Sequence, residues 1–189
     1  MLKLCLAILT LAPLSAHAVA VTGGLRNTLS LFDEGGLGEP PGYGAGGQLR
    51  VHFADHFGTE WFYDYLTASL DPGVRRVSQH IGWAVMYYPI SLRSDALLMP
   101  YIVAGHCFDY SEVTVGPIGQ DRWSSAAQMG GGVQINVAPR FDVSLTSLYM
   151  VHLGTELHYD GHGAHADDHG TLEGHLLTSL SVNFHFLEF

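Results

Sequence analysis

The stretch 176–186 constrains this chain more than any other. Leu176, Leu180, Val182, Phe184 and Phe186 share one parity, and Ser179, Ser181, Asn183 and His185 share the other. Successive side chains of a strand point to opposite faces, so this stretch makes a strand with one apolar and one polar face. Aromatics gather toward its end, and the sequence closes on Phe189. Such a strand needs either a core or a membrane to take its apolar face.

The same alternation recurs along the chain and predicts eight strand segments: 22–32, 43–54, 59–70, 74–88, 97–110, 122–137, 141–153 and 173–186. Leu49, Val51 and Phe53 oppose Gln48, Arg50 and His52. Trp61, Tyr63 and Tyr65 oppose Glu60, Phe62, Asp64 and Leu66. Ile81, Trp83, Val85 and Tyr87 oppose His80, Gly82, Ala84 and Met86. Met129, Val133, Ile135 and Val137 oppose Gln128, Gly130, Gln134 and Asn136, and Phe141, Val143, Leu145, Tyr149 and Val151 oppose Asp142, Ser144, Thr146 and His152. The first and fifth segments are ambiguous; His106 shares a face with Ile102, Ala104 and Phe108. Most segments exceed the usual strand length of about 5–6 residues and suit tilted strands that cross a bilayer.

The N-terminus gives the compartment. Lys3, the apolar run 4–14 and the small-residue site Ser15-Ala16-His17-Ala18-Val19-Ala20 describe a secretory signal peptide; cleavage after Ala18 or Ala20 fits, with Ala18 favoured and the peptide placed at residues 1–18. The run is too short to span a bilayer. Residues 19–189 then form one barrel domain, about 170 residues long. The chain is acidic, with a formal charge of −10, which argues against nucleic acid as a partner. Only 14% of its residues are charged, against about 25% in soluble domains. Cys107 alone outlasts cleavage, so no internal disulfide is available.

Three features favour lipid outside over a core inside. Aromatics recur near strand ends (Trp61, Trp83, Tyr87, Trp123, Tyr149, Phe184, Phe186). The polar face carries glycine and uncharged groups rather than Lys and Glu. The links alternate: 33–42, 111–121 and 154–172 are long, with 71–73 a short member, while 55–58, 89–96 and 138–140 are tighter. Outer-membrane barrels pair short periplasmic turns with longer extracellular loops. The predicted fold is all-β: a closed antiparallel eight-stranded transmembrane β-barrel.

Glu60-Trp61-Phe62-Tyr63-Asp64-Tyr65, Pro100-Tyr101-Ile102-Val103-Ala104-Gly105, Gly130-Gly131-Gly132-Val133-Gln134-Ile135 with Ala138-Pro139-Arg140, and the terminal strand carry a resemblance. The chain resembles the small eight-stranded outer-membrane proteins of the OmpX, OmpA-barrel and OmpW kind. The resemblance implies a Gram-negative outer-membrane location, with outer-membrane lipid, lipopolysaccharide and the barrel-assembly machinery as partners. One departure stands out. Leu187 and Phe189 are out of phase with Val182, Phe184 and Phe186. Either a bulge near 187–188 restores the phase, or Phe189 does not face the membrane.

Eight strands enclose little more than their own side chains. The predicted interior holds Arg26, Gln48, Arg50, His52, Glu60, Asp64, His80, Gln128, Gln134, Asn136 and Asp142. Buried charges must be paired, and Arg50 against Glu60 or Asp64 is the natural pairing across adjacent strands. The last loop gathers His158, His162, His165, His169, Asp160, Asp167 and Asp168 among glycines. Neutral imidazoles with Asp167 give a donor set for Zn²⁺, Cu²⁺ or Ni²⁺, to which His152 and His175 could add; a solvated loop that binds no metal is the plainer reading. No cofactor is otherwise expected. No catalytic residues are expected either: the strands hold no His-x-Ser, and G-x-S-x-G is absent. The expected role is structural or interactive, through acidic, His-rich extracellular loops. The alternatives are a lipid A-modifying enzyme and a metal-binding surface protein.

Overall fold

A computed structural model describes residues 20–33, 40–153, 156–159, 164–167 and 174–188. The signal segment 1–18, Phe189, His162 and His169 lie outside the described residues. The strands are β1 (Ala20–Asp33), β2 (Gly42–Ala54), β3 (Phe57–Asp71), β4 (Val74–Tyr87), β5 (Leu98–Val115), β6 (Ile118–Ala138), β7 (Phe141–His152), β8 (Glu156–Tyr159), β9 (Ala164–Asp167) and β10 (Gly174–Glu188). Eight of them close into an antiparallel barrel in the order β1-β10-β7-β6-β5-β4-β3-β2, and β8 and β9 form a separate hairpin. A row of partners followed from Thr22 runs through Arg50, Glu60, Ala84, Gly105, Gln128, Met150 and His175 and returns to β1 at Phe32. That offset is the stagger that tilts the strands.

The two parities separate as the alternation requires. Leu25, Trp83, Ile102, Met129, Leu180 and Val182 are exposed on the outer wall, while Arg50, Asp64, Met86 and Leu177 are buried inside. With the apolar face outward, the wall is soluble only in lipid. No helix among the described residues is long and apolar enough to cross a membrane.

Three local features depart from the sequence reading. The link expected over 111–121 is not a loop. β5 and β6 continue through it as a ladder to Val115↔Ile118, turning at Gly116, whose positive φ of 57° the tight turn requires. The last link contains the unforeseen β8–β9 hairpin. The phase break in the terminal strand is a bulge one residue earlier than expected: Thr22 pairs with His185 and Val21 with Leu187, so Phe186 has no partner of its own. Phe186 and Leu187 are consequently both exposed.

The interior divides along the barrel's length. Around β1, β2 and β10 it is polar: Thr22, Arg26, Thr28, Gln48, Arg50, Ser179, Ser181 and Asn183. Around the middle of β4, β5 and β6 it is apolar, with Met86, Met99, Val103, Cys107 and Ala126 packed against Phe62, Leu148, Met150 and Leu177, while His80, Asp109, Gln128 and Gln134 are also buried on these strands. Phe62 and Tyr101 stand at the border. Arg26 lies 4.6 Å over the Phe62 ring and Arg50 5.5 Å from the Tyr101 centroid. Each ring belongs to the apolar cluster and has a cation of the polar half beside it. Inward glycines make room: a Cβ on Gly82 would come 2.5 Å from Phe62 Cζ.

Candidate functional site: the charged interior and the two barrel mouths

Arg50 and Glu60 are register partners on β2 and β3 and meet inside the barrel, Nε to Oε2, at 2.7 Å. Arg26 approaches the other Glu60 oxygen at 3.3 Å and Asp64 Oδ1 at 3.0 Å. Gly46 lies between Arg26 and Asp64 in the ladder, so no side chain blocks that reach. Glu60 thus sits between two guanidiniums, and Asp64 shares one of them. Asp64 also accepts from Thr28 Oγ1 at 3.2 Å. Arg50 donates onward to Ser144 Oγ at 2.8 Å, and Arg26 to Ser179 Oγ at 2.9 Å. Desolvated charges persist in a packed lumen only with this density of partners.

Toward the periplasmic mouth, Asp142 accepts from Asn183 Nδ2 at 2.6 Å and Ser144 Oγ at 3.0 Å, and contacts His185 Nε2 at 2.8 Å. The segment between β4 and β5 folds across this mouth. Leu92 N–H donates to Asp55 O, Asn136 N–H to Leu97 O and Asn136 Nδ2 to Ala96 O. Arg93 pairs with Asp55 at 2.8 Å on the surface. Beneath it Tyr88 is fully buried and donates to Gln134 Oε1 at 3.3 Å. Burial raises the phenol's pKa above its ordinary value, so it stays a neutral donor. A vestibule of about 580 Å³ remains at this end, lined in part by His52, Asp95, Gln134, Asn136 and His185.

Toward the extracellular mouth, Asp109 is the hub. His80 Nε2 lies 3.2 Å from Oδ1, His152 Nε2 3.1 Å from Oδ2, and Ser111 Oγ donates to Oδ2 at 3.2 Å. The His152 and His175 rings stack edge to face at 4.7 Å. Sequence reasoning put His80 and His152 on inward parities but missed Asp109, because the fifth segment's parity is ambiguous. Arg26 was placed inside without its role as the second cation on Glu60. Cys107 is buried in the apolar half, beside Met150.

In the last link, His158 of β8 stands opposite His165 of β9, and Glu156 opposite Asp167. Among the described residues, no group of three His, Cys, Asp or Glu is arranged to hold a metal ion.

The model of the outer membrane protein beta-barrel domain family matches residues 1–186. No curated protein matches the chain. Solved structures do. Neisserial surface protein A is 14% identical at a TM-score of 0.59, covering 88% of this chain and 96% of that one. The N-terminal β-barrel domain of Pseudomonas aeruginosa OprF is 13% identical at 0.59, covering 87% and 97%. Ail, the attachment invasion locus protein of Yersinia pestis, is 11% identical at 0.53, covering 88% and 97%. At these identities the likeness is one of fold. Closed eight-stranded topology, outward apolar wall and family match converge: the chain belongs to the outer membrane protein beta-barrel domain family and is a protein of the outer membrane.

Proposed function

We propose that this barrel is a structural and interaction protein, anchored by a sealed wall and acting through its extracellular elements. The observation that carries the reading is the packed lumen. The Arg26–Glu60–Arg50 network fills one half and the Phe62–Met86–Met150 cluster the other. A filled interior gives solutes no aqueous path and leaves function to the surfaces. The β5–β6 ladder outruns β7, whose pairing ends at Ala126↔His152, and it presents Glu112 and Asp121 as partners above the Tyr110–Trp123 pair. Lipopolysaccharide around the wall and the barrel-assembly machinery during insertion are the partners this reading takes. Reconstitution into planar bilayers tests it. The expected result is a folded protein with no steady conductance; stable open channels would overturn it.

A second reading rests on the His158↔His165 pairing, which brings two residues of a metal-binding type to one rung of the β8–β9 hairpin. It makes the hairpin a Zn²⁺, Cu²⁺ or Ni²⁺ site, with Asp167, His162 and His169 completing the donor set. Zn²⁺ titration of the intact protein and of a variant lacking 159–170 decides it. One-to-one uptake by the intact protein alone supports the site; equal uptake by both removes it.

A further inference from the structure

His106 and Ser125 meet on the outer wall, on the face turned away from the charged lumen. The ladder pairs Phe108 with Ser125 and His106 with Ala127, so the two side chains are diagonal neighbours on β5 and β6. His106 Nε2 lies 3.2 Å from Ser125 Oγ. The imidazole stands edge-on to the Phe108 ring, centroids 5.0 Å apart. Both residues are half-buried on a wall otherwise built of Trp83, Ile102, Phe108 and Met129. Polar and ionisable groups on a lipid-facing surface are expensive and mark function by default.

Their depth is informative. Tyr110 and Trp123 are register partners on the same outer face, with rings 5.1 Å apart, and Glu112 and Asp121 follow above them. An aromatic pair capped by carboxylates marks the outer interface. Ser125 lies two residues below Trp123, which is about 7 Å along the strand and about 5 Å in depth at the usual tilt. Beneath the headgroups, this is the level of the esters that join acyl chains to outer-leaflet lipids.

We propose that Ser125 and His106 are a nucleophile and its general base, cleaving an acyl ester of an outer-leaflet lipid. With its proton on Nδ1, His106 accepts the Ser125 hydroxyl hydrogen at Nε2. Ser125 Oγ bonds to the ester carbonyl carbon, and His106 takes the hydroxyl proton. The carbonyl–alkoxy bond then breaks, and His106 returns the proton to the departing alcohol. Water, deprotonated by His106, attacks the acyl-serine; the acid leaves and Ser125 regains its hydrogen. β6 rises past the end of β7 at this point, with Leu153 N–H bonded to Ser125 O.

The test uses the full mature chain folded in vesicles containing either lipopolysaccharide or diacyl phospholipid, with released fatty acid read by mass spectrometry. A fluorophosphonate label is mapped in parallel. Release from lipopolysaccharide identifies a glycolipid ester as substrate, and release from the other vesicles a phospholipid ester. Ser125→Ala and His106→Ala each lower release about a hundredfold or more, and His106→Ala also abolishes labelling at Ser125. Ser147→Ala, another outer-wall serine bonded to Thr178, leaves both readings unchanged. Mobility of unboiled samples establishes that every variant is folded. Release unaffected by Ser125→Ala, or neither release nor label at Ser125 in the folded wild type, would overturn the proposal.

Discussion

Arg50 and Glu60 face each other across β2 and β3 and share a 2.7 Å contact with almost no exposure on either side chain. The bond links the two halves of the lumen, because the same guanidinium rests against Tyr101 at the edge of the apolar cluster. Removing the cation leaves Glu60 with Arg26 alone and opens a gap beside Tyr101.

Arg50→Ala is therefore expected to destabilise the folded barrel by about 3–5 kcal/mol, the usual scale for one orphaned member of a buried pair. Arg93→Ala, which breaks the exposed pair with Asp55, is expected to cost about 0–1 kcal/mol. Urea midpoints in detergent check both. Equal midpoints for the two variants would count against an inward, paired Arg50.

Gly82 and Phe62 test the packing limit. Gly82→Ala puts a methyl 2.5 Å from Phe62 Cζ, and overpacking of this kind typically costs about 1–3 kcal/mol. Phe62→Leu shortens the obstacle, so the double variant is expected to recover part of the loss. A double-mutant cycle with no coupling would show that the two do not meet.

Leu180 and Ile118 are both exposed, yet they face different solvents. Leu180 sits mid-wall opposite Leu145, and Ile118 opens the strand at the tip of the β5–β6 ladder. Leu180→Arg should cost about 2–4 kcal/mol if it lies near the bilayer midplane. Ile118→Arg should shift the midpoint little, since water bathes the tip. Equal penalties would relocate the membrane boundary.

Closure of the sheet has an electrophoretic signature. With all eight ladders made, the unboiled protein is expected to migrate faster than the boiled one. A single band under both conditions would mean the barrel is not closed in detergent.

β2, β3, β4, β6 and β7 were legible in the sequence because polar and apolar groups, or large and small ones, separate by parity there. β5 was not, because its inner face lines the apolar half of the lumen. Tyr101, Val103 and Cys107 point inward while Ile102 and Phe108 point outward, so both faces read as apolar. The bulge at Phe186 was legible only as a broken phase, since the partner strand sets where the extra residue falls. Arg50 and Glu60 could be matched because their strands are consecutive. Arg26 meets Glu60 and Asp64 past the intervening strand β2, over Gly46, and His106 meets Ser125 through a register no local pattern encodes.

The ladder between β1 and β10 joins Ala20 to Glu188 and Asp33 to Gly174. β1 has no second neighbour until residues 174–188 have been synthesised, so the contacts of highest sequence separation must form for the cylinder to exist at all. Any shorter nascent chain carries two open β-edges, the kind of surface that invites pairing with other chains. The closed wall therefore depends on its last ladder: a sheet lacking β10 keeps the edges of β1 and β7 open.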